Sequence, residues 1–465
     1  MLFLINVISW VWIAVLISSK CVAILTGNSQ SYEDITSLPK YGCHWTGGSN
    51  SMVNCTCRED AEEFSIHHGQ IPVYDTWGIQ INDCKKVIFD GHSIENLRNL
   101  RQIHLKNIPS LSLLPESFSW FGYRATYESD DEADDENNIP SLSISMDNCV
   151  IEKISQHSFK GRIKDIELNN CHVKDMESFS FSSLRQSGTV VLRNTTIDSL
   201  KPQAFKLFTT KQLILDGISI EDVPSRAFSN LVIKEKLQIS NCRFGTLHSG
   251  SFMIDGPKWF EVVNSNISVL EGEAFTVKVK GDVLFKNNVI GVLGPGALMK
   301  IVKSKDLVLN TALFLTIDSN VFSYLWSNSL EVNGLIAKFV NLQFNESCNC
   351  DIFMSNYALY KEFFTEIKCL DAEEYISIKD YEVQKCTMLS GHTTMIVVIG
   401  VICALLLVMI IILSLYYHKV FKEGKYGKDN APQKNVSLIV PDGRTYRETE
   451  VHVILETADL LTTDL

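Results

Sequence analysis

Asp282 and Asp306 lie 24 residues apart in a chain whose middle repeats at nearly that interval. The two carboxylates are therefore expected to stack about 5 Å apart, one strand spacing. Paired carboxylates do acid–base work when their pKa values are pushed apart, or hold calcium when further oxygens join them. The neighbouring outward residues, Lys236, Trp259 and Ser329, supply no third partner, so a solvated pair is expected. Cys149 and Cys171 occupy the same place in adjacent repeats, where a disulfide or reactive pair is one reading. With Cys242 they are read instead as buried thiols, which behave as small interior residues. No nucleophile motif, phosphate-binding loop or HExxH is present, and histidine is sparse. The expectation is a non-enzymatic chain with no catalytic residue, no metal and no cofactor.

Other residues speak to surface and compartment. Asn54, Asn194, Asn266 and Asn345 each open an N-x-S/T sequon that a secreted chain can glycosylate. Residues 128–136 pack seven carboxylates into nine positions, which repel one another and cannot join a core. Much of the net charge of -12 comes from that run, and the remainder is only mildly acidic, so no nucleic-acid partner is expected. The run belongs to an insertion at about residues 120–138. Recruiting a basic ligand or calcium is one reading of it, and a solvated flexible loop is the expected one.

The ends assign the compartment. Residues 2–17 are almost wholly apolar and Cys21-Val22-Ala23 are small, which suits a signal peptide over residues 1–23. An uncleaved anchor is the alternative, because no Lys or Arg precedes the run. Residues 395–417 are 23 positions without a charge, enough for a helix to cross a hydrocarbon core of about 30 Å. Lys419, Lys422, Lys425 and Lys428 follow, which places the C-terminus in the cytosol. The expected topology is single-pass type I in the plasma membrane, with the N-terminus extracellular and a disordered tail at 418–465. Thirteen cysteines suit the oxidising side.

A repeat positions everything between these ends. The second apolar residue of each strand-like pattern is Phe89, Leu105, Met146, Leu168, Leu192, Leu215, Ile239, Val262, Phe285, Leu309 and Val332, recurring every 22 to 24 residues from Met146 onward. Thirteen residues after nearly every one comes another large apolar group, among them Phe118, Phe159, Phe181, Phe205, Phe228, Phe252, Phe275, Leu298 and Phe322. A fixed period of this length means a solenoid, in which each repeat buries its apolar face only by stacking on its neighbours.

The copy Ile163-x-x-Ile166-x-Leu168-x-x-Cys171-x-Val173 resembles the extracellular leucine-rich repeat, L-x-x-L-x-L-x-x-N/C-x-L. Cys149, Cys171, Thr195, Cys242, Ser265 and Asn288 stand at the Asn/Cys position, where a buried polar side chain satisfies backbone groups left by the turn. The residue before it is Asn at 148, 170, 194, 241, 264 and 287. The resemblance implies an α/β solenoid, mostly parallel β with an irregular or short-helical convex side, bent into a horseshoe over residues 85–340 in about eleven repeats. Upstream, residues 24–84 hold Cys43, Cys55, Cys57 and Cys84; downstream, residues 341–390 hold Cys348, Cys350, Cys369 and Cys386. Four cysteines allow three pairings each. Both groups resemble the cysteine-rich caps of extracellular leucine-rich repeats, which implies Cys43 with Cys57, Cys55 with Cys84, Cys348 with Cys369 and Cys350 with Cys386.

In such a solenoid the sheet lines the concave side. Ile214, Trp259, Leu284 and Val308 are expected to point out from it as an exposed apolar patch that binds a protein ligand. Thr463 and Leu465 at the end of the tail resemble a PDZ ligand, whose side chain and carboxylate enter the edge of the PDZ sheet. The chain thus reads as an adhesion molecule or co-receptor that binds an extracellular protein or an opposing cell-surface protein, with a tail that docks cytosolic PDZ proteins. The alternatives are a membrane-anchored β-helix enzyme acting on glycans and a passive decoy or structural surface protein.

Overall fold

The computed structural model describes residues 33–48, 50–72, 76–121, 141–185, 187–307, 311–326, 328–349, 367–372, 374–386 and 392–423, in two compact units divided after Leu389. The expected signal peptide, residues 122–138 of the acidic insertion, Val308, Cys350 and residues 424–465 of the expected tail, with Thr463 and Leu465, lie outside the described residues, while residues 418–423, expected to be disordered, continue the helix His392–Glu423.

The first unit is a mostly parallel β-solenoid with three short strands to a coil. In one coil Ile166 and Leu168 point inward from the strand Ile163–Asn169, Val173 and Met176 from His172–Met176, and Phe181 and Leu184 from Phe181–Leu184. Each strand pairs in parallel with its equivalents above and below. Leu168 lies opposite Met146 and Leu192, Val173 opposite Ile151 and Ile197, and Phe181 opposite Phe159 and Phe205. The result is a 19-stranded and a 14-stranded sheet around one apolar core. Two long strands, Phe205–Asp216 and Phe228–Ser240, run unbroken from the third ladder of one coil into the first ladder of the next, which is why those ladders share the larger sheet.

Between Ser51 and Ser347 the described residues contain no helix. Strands stand where short helices or irregular turns were expected on the outer side, as the β-branched residues Val173, Ile197, Ile220, Ile267 and Ile290 favour. The six Phe side chains from Phe159 to Phe275 stack in a row inside the solenoid at centroid spacings of 4.4, 4.4, 4.5, 4.5 and 5.2 Å. Fully burying each stabilises the fold by roughly 1.5–3 kcal/mol.

The corner after the first strand explains the Asn–Cys pattern. Asn148, Asn170, Asn194, Asn241, Asn264 and Asn287 turn the chain in the left-handed region, φ 48° to 54°, which Asn tolerates better than other side chains. Their amides link coil to coil: Asn148 Nδ2 donates to Asn107 Oδ1 at 2.9 Å and Asn194 Nδ2 to Asn170 Oδ1 at 3.2 Å. The next residue is buried and, except for Ser265, whose hydroxyl donates to Val263 O of its own coil, donates to a strand-end carbonyl of the preceding coil. Cys171 Sγ reaches Met146 O at 3.4 Å, Thr195 Oγ1 Leu168 O at 3.3 Å, Cys242 Sγ Leu215 O at 3.3 Å and Asn288 Nδ2 Val262 O at 2.8 Å.

Several expectations are corrected. Phe89 belongs to the second ladder, opposite Leu113, and the first-ladder row starts earlier, Cys55 opposite Ile81 and Ile81 opposite Leu105. The coils thus begin inside the region expected to be a cap. Trp120 is not loop: it ends the strand Phe118–Trp120, is fully buried, and its Nε1 donates to Leu97 O at 2.8 Å. Near the other end one coil is long, with Asn288 and Asn320 in contact although 32 residues apart. Phe285 consequently pairs with Ile317, not Leu309, and Phe339 takes the place expected of Val332. Phe322 lies in the second ladder opposite Ile290, not in the Phe row.

The disulfides of the N-terminal group are also different: Cys43 joins Cys55 and Cys57 joins Cys84. The strand Cys43–Trp45 runs antiparallel to Ser51–Thr56 and sets Cys43 directly across from Cys55, Cα atoms 3.9 Å apart, which leaves Cys57 for Cys84. Cys348 joins Cys369 as expected. Cys386 is disulfide-bonded, and Cys350 falls outside the described residues. The second unit holds the helix His392–Glu423, of which Met395–Phe421 is long and apolar enough to cross a membrane.

Candidate recognition surface

The outward side chains of the first ladder form two regions of different chemistry. One is a depression of about 400 Å³ lined by His104, Ser143, Ser145, Asp165, Glu167 and Thr189 together with Ile144, Ile166 and Val191. It exists because the small Ser143 and Ser145 stand between the longer Gln102 and His104 on one side and Asp165 and Glu167 on the other. Ser143 Oγ donates to Asp165 Oδ2 at 3.2 Å, and Arg193 pairs with Glu167 at 3.0 Å. Sequence reading missed this dip, because His104 meets Ser145 only when the register is carried across the acidic insertion.

The other region is apolar and lies toward the C-terminal coils. Trp259 is 58% exposed, Leu284 and Phe314 are half-buried, and the Lys338 ammonium lies 3.7 Å from the centre of the Phe314 ring. A cation over an aromatic face contributes about 0.5–1 kcal/mol at an exposed site. Of the residues expected as one patch, Ile214 stands apart from Trp259 and Leu284. Ile214 sits beside Val191, and the strands bearing Gln238 and Glu261 separate it from Leu284. Lys236 and Glu261 form an ion pair at 3.0 Å across that gap. Val308 lies outside the described residues, and Phe314, which sequence reading did not single out, stands on the strand next to that of Leu284, with Asp282 between it and Trp259.

The carboxylate pair is corrected too. Asp282 Oδ1 accepts from the Phe314 backbone N–H at 2.9 Å, while Asp306 lies in a turn and pairs with Lys280 at 3.3 Å. The 32-residue coil moves Asp306 off the ladder, so the two do not stack. Cys149, Cys171 and Cys242 are buried free thiols. Cys149 as hydrogen-bond partner, together with burial, pushes the Cys171 thiol upward, and burial pushes the Cys242 thiol up to about 11. Neither is poised as a thiolate. Among the described residues, no three His, Cys, Asp or Glu side chains converge to hold a metal ion.

Of the sequons, Asn194, Asn266 and Asn345 are exposed, while Asn54 lies half-buried on the strand Ser51–Thr56 beside the Cys43–Cys55 disulfide. No family model matches the chain, and none of the curated proteins does.

Proposed function

We propose that the chain is a non-enzymatic cell-surface recognition protein, single-pass type I in the plasma membrane, whose solenoid binds a protein ligand. Its solenoid is of the leucine-rich repeat kind, a reading supported by the buried L-x-x-L-x-L register and by the polar row from Cys149 to Asn288. The apolar run Met395–Phe421 supports anchoring. Thr463 and Leu465 are assigned to a cytosolic PDZ partner on their sequence alone. One observation carries the binding assignment: Trp259, more than half exposed on a sheet held by parallel neighbours on both sides, lies one strand from Leu284 and two strands from Phe314, with Asp282 in the row between it and Phe314. Exposed Trp with apolar neighbours is what interface hot spots are made of, each worth about 2 kcal/mol or more when truncated.

Labelled suspension cells expressing the full chain, mixed with cells that do not, provide the test. Clusters confined to expressing cells mean self-recognition, and mixed clusters mean a ligand already present on the other cells. Trp259→Ala with Leu284→Ser should cut clustering roughly thirty-fold at unchanged surface level. Undiminished clustering removes this face from the proposal.

A second reading, a membrane-anchored glycan-active β-helix, is favoured by the three parallel strands of each coil and by a dip that holds Asp165, Glu167 and His104 together. Cleavage of a polysaccharide that Glu167→Gln abolishes would support it over the first.

A further inference from the structure

Along much of the second ladder the outward side chains are charged and paired. Lys174 meets Glu152 at 2.8 Å, Lys153 meets Glu177 at 2.6 Å, and His248 lies between Asp222 at 2.8 Å and Glu271 at 3.0 Å. On the strands Val289–Leu293 and Val321–Leu325 the charges stop. There Gly291 and Ser323 form the floor of a strip, with Val289 and Val321 along one side and Val292 and Tyr324 along the other. The Tyr324 ring meets Trp326 edge-on at 5.5 Å, and both are nearly half exposed. Such a face, left open to water, asks for an occupant without charge.

The next strand supplies one. Val321 opposes Gln343 and Phe322 opposes Phe344, a register that sets Asn345 beside Ser323 at the mouth of the strip. Asn345 is exposed and opens the sequon Asn345-Glu346-Ser347. Asn194, by contrast, already gives its Nδ2 to Asn170.

We propose that Asn345 carries an N-linked glycan and that its first sugars lie along this strip, covering Ser323, Gly291 and Tyr324. Attachment joins Asn345 Nδ2 to C1 of a lipid-pyrophosphate-linked oligosaccharide. The C1–O bond breaks, the lipid pyrophosphate leaves, and the amide gives up one proton. A sugar ring presents a C–H face that packs on valine and on the negative face of an aromatic ring, and hydroxyls that need no ionic partner. From Asn345 to the row of Ser268 is three strand spacings, roughly 14 Å, long enough for more than the first sugar. The proposal rests on the extracellular placement of the solenoid.

The test is glycopeptide mapping of the full chain from cultured animal cells, with amidase release compared between native and denatured protein. Asn345 should be occupied, and its native release should be roughly ten-fold slower than that of Asn194, which lies away from the strip, the order an aromatic contact provides. Tyr324→Ala should bring the two rates together while Asn345 stays occupied. Ser347→Ala should remove the glycan and make Trp326 more accessible to acrylamide, judged against Trp326→Phe. An occupied Asn345 released as fast as Asn194 overturns the seat. A bare Asn345 beside occupied Asn194 or Asn266 overturns the assignment but leaves the extracellular placement standing. No glycan anywhere overturns both.

Discussion

Phe181 stacks on Phe205 with centroids 4.4 Å apart and planes inclined by only 16°. Each ring fills the space between the next coil up and the next coil down, so neither neighbour can collapse into a gap without leaving its own stack. Phe205→Ala should therefore cost about 3–5 kcal/mol, near the top of the range for buried large-to-small changes. Phe205→Leu should cost well under half of that. Thermal unfolding of the two variants measures the difference, and an alanine cost near 1 kcal/mol would mean that the row is not continuous.

Cys43 and Cys55 face each other across an antiparallel pair, and Cys57 is left to reach Cys84, Cα to Cα 4.9 Å. Peptide mapping without reduction should recover Cys43–Cys55 and Cys57–Cys84. Replacing Cys43 and Cys55 together by Ser should leave the second bridge intact and cost about 3 kcal/mol, as for other short closed loops. Recovery of Cys43–Cys57 would mean that the strand Cys43–Trp45 does not pair as described.

The Phe row and the Asn–Cys corner were legible in the sequence because the period holds from Met146 to Phe285 and each position has one physical task. What stayed hidden depended on pairing. The long coil escaped notice because Leu309 and Val332 are apolar at the expected step, while the chain places Ile317 and Phe339 on the ladder. A register error there moves every outward residue after it, and so the supposed Asp282–Asp306 pair and the contribution of Phe314 were both misjudged. The antiparallel strand at Cys43 has no periodic signature, since three residues are too few to show one. Ile214 and Leu284 are both outward as expected; what the one-dimensional reading overlooked is that Gln238 and Glu261 stand between them.

Cys149, Cys171 and Cys242 donate to carbonyls inside the corner and are nearly without solvent contact. With Cys242 pushed up to about 11, almost none of it is thiolate at neutral pH. Maleimide should label none of the three in the native protein and all three once it is unfolded. Serine at Cys242 should be tolerated best, because Ser265 already fills the equivalent place one coil on and accepts from the Cys242 N–H at 3.1 Å. Rapid native labelling of Cys242 would mean that the corner opens.

His248 bridges three coils, with Nε2 toward Asp222 and Nδ1 toward Glu271. Partial burial alone would lower its pKa; the hydrogen bond to Asp222 and the charges of Glu271 and Asp222 outweigh that and hold it above the ordinary imidazole value. A pKa raised on folding adds stability that is fully present below the unfolded value of about 6.5 and is lost as pH rises through the folded value. His248→Asn should therefore melt lower than the parent near pH 6, and the gap should close as pH rises past the raised value. The pair is partly solvated, so the contribution is about 0.2–1 kcal/mol, a shift of a few degrees at most. Melting curves at several pH values measure it. A gap that widens with pH would mean that the imidazole is held neutral between its two carboxylates, the opposite of what this geometry requires.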